Sequence, residues 1–84
     1  AVAVVANVAE GFDLYADNQF HHALTIAKAS CAEVRSHLYI AHDIGYLDQV
    51  QFNQLIELNI EVTRLVSALR SSVDRRLREE KRRQ

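Results

Sequence analysis

Two stretches of heptad spacing, separated by a break of a few residues, constrain this chain more than any other feature. Phe20, Leu24, Ala27, Cys31, Val34, Leu38 and Ala41 recur at alternating intervals of four and three. Phe52, Leu55, Asn59, Val62, Val66, Leu69 and Val73 do the same. An apolar seam with this period belongs to helices that pack along other helices. Between the two lies Gly45-Tyr46-Leu47, followed by Asp48. Glycine suits the left-handed residue that closes a helix. Asp48 and Gln51 have the spacing of a capping box, and Leu47 and Phe52 that of a hydrophobic staple. So short a connection predicts an antiparallel helical hairpin.

The seams carry further detail. Ala23, Ile26 and Ala29 widen the first apolar face beyond a two-stranded seam, and Leu58 and Leu65 widen the second, as a bundle requires. Asn59 interrupts the second seam. A buried Asn there would fix register or oligomeric state, whereas one at the seam edge would meet water, and the pattern leaves both open.

Ahead of these stretches, the valine-rich opening could be read as a strand. The recurrence of Val2, Val5, Ala6 and Ala9 at helical spacing and the absence of a partner strand favour a helix. That helix is expected to stop at Gly11, with the next one starting at an N-cap on Asp17 or Asn18. The expectation is therefore three helical segments in an all-α chain. The apolar start, with no cap before it, reads as the middle of a helix, so an N-terminal helical segment is expected to be missing.

Composition narrows the classes. Two glycines and no proline among 84 residues exclude a sandwich or barrel of short strands, and so little Gly, Pro and net charge excludes a disordered chain. One cysteine, Cys31, suits a reducing, cytoplasmic setting. No apolar run reaches the roughly 18 residues of a membrane span. A chain this short buries little of its surface alone and calls for a partner subunit.

The residues that carry chemistry do not converge. His21 and His22 are adjacent and point about 100° apart on a helix. His37 and His42 are five apart and miss the i, i+4 metal pair. Cys31 lies on the apolar stripe, where a thiol is an inert small hydrophobe. Glu57 and Glu61 supply carboxylates, but no Glu-x-x-His pair or phosphate-cradling glycine loop accompanies them. The expectation is a protein that is not an enzyme, with no metal and no cofactor.

Charge is more informative. The net value of −1 hides seven cations, Arg70, Arg75, Arg76, Arg78, Lys81, Arg82 and Arg83, against Asp74, Glu79 and Glu80 in residues 70–84. That end carries +4, leaving −5 on residues 1–69. The chain thus divides into a helical domain over 1–74 and a basic helical extension or frayed tail over 75–84. The seven cations are the candidate nucleic-acid contacts, through counterion release at phosphates. A solvated helix end whose cations complement the macrodipole is the competing account. The tail has no aromatic residue to stack on bases.

Several motifs carry a family resemblance. Ala6-Asn7-Val8-Ala9-Glu10-Gly11-Phe12 resembles the ANIAEGF signature of the small four-helix-bundle proteins encoded in bacterial large-subunit rRNA intervening sequences. The likeness continues through Phe20, Leu24-Thr25-Ile26-Ala27-Lys28-Ala29-Ser30 and Ala32-Glu33-Val34. It reaches Ala41-His42-Asp43-Ile44-Gly45-Tyr46-Leu47, similar to the family's A-x-x-L-G-Y-L turn, and spans roughly residues 1–73. The chain departs from the pattern at Val5, where relatives often have proline, and at Ala16, where a polar residue is usual. Basic residues common near His21 and His22 are also absent.

The resemblance implies an up-down four-helix bundle, of which this chain would show two and a half to three helices. It implies homopentamers and supports the missing first helix. It also implies a nucleic-acid-associated scaffold, for rRNA or retroelement RNA, since a similar retroelement accessory variability protein is thought to bind nucleic acid and a reverse transcriptase. Asn7, Glu10, Gly11, Gly45 and Tyr46 match signature positions, and their expected role is structural. A protein-interaction module with no nucleic-acid role is the alternative.

Overall fold

A computed structural model describes the backbone of residues 2–83 and the side chains of Val8 and residues 11–83. Two helices account for nearly all of it: α1, Val2–Asp43, and α2, Gln49–Arg83. They lie antiparallel as a single hairpin with principal extents of 65 × 16 × 14 Å. The chain is all-α, and the described residues contain two helices where the sequence pattern predicts three. No helix among them is long and apolar enough to cross a membrane.

The expected break at Gly11 is absent. Gly11 sits inside α1, and Gly45 is the glycine with positive φ, at 86°. Glycine permits a left-handed turn but does not impose one. Here it stays helical, at a helix-propensity cost of about 1 kcal/mol. The predicted N-cap is absent as well, because Asp17 and Asn18 lie inside α1. Asn18 Nδ2 donates to the Leu14 carbonyl at 2.9 Å within the helix, and Asp17 turns to α2.

The connection follows its sequence signals closely. The Tyr46 N–H donates to the Ala41 carbonyl at 2.9 Å and the Gly45 N–H to the His42 carbonyl at 3.1 Å. These two bonds make a Schellman closure with Gly45 as its left-handed residue. At the start of α2, the Gln51 N–H donates to Asp48 Oδ1 at 2.8 Å and the Asp48 N–H donates to Gln51 Oε1 at 3.0 Å. Both halves of the capping box are formed. Phe52 closes this end, edge-on to Tyr39 with centroids 5.1 Å apart and tilted against His42 at 4.5 Å.

Packing between the helices uses only part of each predicted seam. Among the described residues the buried apolar core is Leu24, Val66 and Val73, with Ala27 and Leu77 packed against it. Phe20 is 47% exposed and Val34 49%, although both belong to the heptad series. On α2 the residues turned toward α1 are Phe52, Ile56, Asn59, Thr63, Val66, Arg70, Val73 and Leu77. Leu55, Leu58, Val62, Leu65 and Leu69 are exposed on one flank. Alongside Cys31, Val34 and Leu38 of α1, several of them line an open apolar groove.

Candidate nucleic-acid interface

Beyond the last core valine, Val73, α2 changes character. Through Arg83 it remains helical, and its exposed positions become predominantly cationic. Lys81, Arg82 and Arg83 occupy the last turn, where cations meet the partial negative charge of the helix C-terminus.

The seven candidate cations do not act as one group. Arg70 is half-buried on the side facing α1, and its Nε is fully enclosed without a hydrogen-bond partner. Arg76 Nε lies 3.4 Å from Asp17 Oδ2 of α1, tying the two helices together. Arg83 Nη1 lies 3.9 Å from Glu80 Oε2. Arg75, Arg78 and Arg82 are exposed and, with Glu79, border a shallow concavity. Lys81 is exposed as well.

A row of polar contacts runs between the helices toward this end. His21 Nε2 is 2.8 Å from Asp74 Oδ1, close but poorly aligned for a hydrogen bond, so the contact is a charge pair only when the imidazole is protonated. Further along, Arg35 Nε donates to Asn59 Oδ1 at 3.1 Å, and Asn59 Nδ2 donates to the Cys31 carbonyl at 2.9 Å. Asn59 is thus the buried alternative of the two readings, only 7% exposed. The heptad pattern marks Asn59 but contains no signal for Arg35, Asp17 or His21 as partners. Those follow from the register between two helices.

The signature residues do not assemble into one site. The side chains of Asn7 and Glu10 lie outside the described residues. Gly11 is exposed, and a Cβ there would meet nothing within 4 Å. Gly45 and Tyr46 occupy the opposite end of the hairpin and serve its turn. Among the described residues no three His, Cys, Asp or Glu side chains come together as a metal site, and Cys31 is a half-buried free thiol.

Comparison with known proteins places these features. No curated protein and no solved structure gives a significant match to the chain. The family model described as 23S rRNA-intervening sequence protein matches residues 1–68. That match takes in the whole of α1, the Gly45 turn and most of α2, and stops before the basic end. On this evidence the chain belongs to the 23S rRNA-intervening sequence protein family.

Proposed function

We propose that this protein is a non-enzymatic, self-associating helical bundle that serves as a scaffold for RNA. The observation that carries the reading is the division of one hairpin into a broad apolar flank and a cationic end. Leu58 is 55% exposed and Leu65 60%, beside a core of three buried apolar side chains among the described residues. A hairpin with so small a core depends on burying that flank. In this proposal the flank is covered by further helices in an up-down four-helix bundle, and bundles associate as pentamers in the cytoplasm. The cationic end supplies phosphate contacts, and binding is the activity proposed.

Light scattering tests the assembly. A defined oligomer is expected, and a stable monomer at micromolar concentration overturns it. RNA binding is tested by deleting residues 75–84, which should flatten the salt dependence of binding. If the intact protein shows no binding above background at low salt, the RNA role is wrong.

A second reading, a protein-interaction module without nucleic acid, draws on the groove between Val34 and Leu38 of α1 and Leu55, Leu58 and Val62 of α2. Its mark would be a single protein partner whose capture survives nuclease treatment, combined with no measurable affinity for RNA.

A further inference from the structure

Five arginines near the end of α2 divide between two tasks. Arg76 and Arg83 lie against carboxylates, Asp17 at 3.4 Å and Glu80 at 3.9 Å. Arg75, Arg78 and Arg82 are spaced i, i+3 and i+7, which places them on one face of the helix. All three are exposed, all three border the same concavity, and no ion pair within 4 Å engages them among the described residues. At 1.5 Å per residue the row is about 10 Å long.

We infer that Arg75, Arg78 and Arg82 form a rail for the phosphate backbone of a nucleic-acid duplex, while Arg76 braces the hairpin and Arg83 lies beside Glu80. This rests on the nucleic-acid reading above and names the surface and the form of nucleic acid. Three features point to a duplex rather than a single strand. A continuous helix sets the three arginine positions in a row, matching a regular backbone. A B-form duplex presents one phosphate charge per about 1.7 Å of axis, so about 10 Å offers each arginine a phosphate. Single-strand binders rely on aromatic stacking, and α2 has no aromatic residue after Phe52. The rail reads shape and charge without base edges. It also lies beyond the residues matched by the family model, 1–68.

Glu79 sets a sign. It borders the same concavity and lies between Arg75 and Arg82 along the helix. It therefore opposes an approaching phosphate and lowers affinity.

Fluorescence anisotropy on the full chain tests the assignment, using a 20-base-pair RNA duplex, a DNA duplex of the same sequence and one single strand, each over a range of salt. Both duplexes should bind more tightly than the single strand, and equal affinity for RNA and DNA would assign the contact to phosphate alone. The triple variant Arg75→Gln, Arg78→Gln, Arg82→Gln should weaken duplex binding about tenfold or more at low salt. It should also reduce the slope of log K against log salt by roughly 2.7, about 0.9 for each lost phosphate contact. Gln is a good helix former, so the variant should keep its helical circular dichroism. The double variant Arg76→Gln, Arg83→Gln should change binding by less than about threefold, and Glu79→Gln should tighten it. Wild-type binding that the triple variant leaves unchanged, or that the double variant removes equally, overturns the rail but not the nucleic-acid role. Preference for the single strand also overturns the rail. Absence of binding to all three probes overturns both.

Discussion

Asn59 of α2 is joined to Arg35 of α1 by a 3.1 Å hydrogen bond from the guanidinium Nε to the amide oxygen. The other half of the Asn59 amide donates to the Cys31 carbonyl at 2.9 Å. A buried side-chain amide with both donor and acceptor engaged across a helix interface holds only in one register. Sliding α2 by a turn would bury the amide against apolar side chains. The pair therefore specifies how the helices align, and its contribution to net stability is modest.

Replacing Asn59 with Ala should lower the stability of the assembled protein by about 1–3 kcal/mol, since Arg35 loses its acceptor and the Cys31 carbonyl its donor. Urea denaturation reads the change as a shifted midpoint. Asn59→Leu should recover much of the stability yet yield mixed oligomeric species by light scattering. A single species for Asn59→Leu would show that register is set elsewhere.

The two glycines should respond in opposite directions. Gly45→Ala forces a side chain into φ of +86° and should cost about 1–2 kcal/mol. Gly11→Ala introduces a methyl group into open space within a helix and should raise stability by about 0.5–1 kcal/mol. Thermal melts of both variants beside the wild type measure the two signs, and destabilisation by Gly11→Ala would mean that Gly11 is not helical.

Asp48→Ala removes the acceptor for the Gln51 N–H at the start of α2 and should cost about 0.5–2 kcal/mol. Asp48→Ser retains an acceptor at that position and should restore most of the loss. Equal melting temperatures for the two variants would show that the cap contributes nothing.

Leu58→Glu and Leu65→Glu probe the open flank. Their side chains are exposed in the hairpin, so neither clashes within it. Charge placed in a buried interface is costly, so both should shift the mass distribution to smaller species by at least tenfold in protein concentration. Unchanged light scattering for both would show that the flank stays in water.

Much of the hairpin is legible along the chain because its determinants are local. Gly45 ends α1 through bonds spanning three and five residues, and the Asp48–Gln51 cap spans three. Periodicity likewise identifies α2 through Val73. Gly11 misleads because glycine's freedom is a permission, and α1 runs through it as helix.

The seven-cation tail shows the same division. Composition locates it, but charge counting cannot separate Arg76, facing Asp17, from Arg75 and Arg78, which face outward. That separation follows from helix phase relative to a neighbour.

By itself the amino-acid order determined an all-α chain, the position and chemistry of its turn, the antiparallel direction and the concentration of positive charge after residue 69. These follow from bonds and periods within a few residues. Tertiary structure alone decided that Asn59 is buried against Arg35 and Cys31, and which arginines are left exposed. A heptad seam is wide enough to pack on either edge. Which edge turns inward depends on how two whole helices align, an energy summed over contacts that no single stretch of sequence contains.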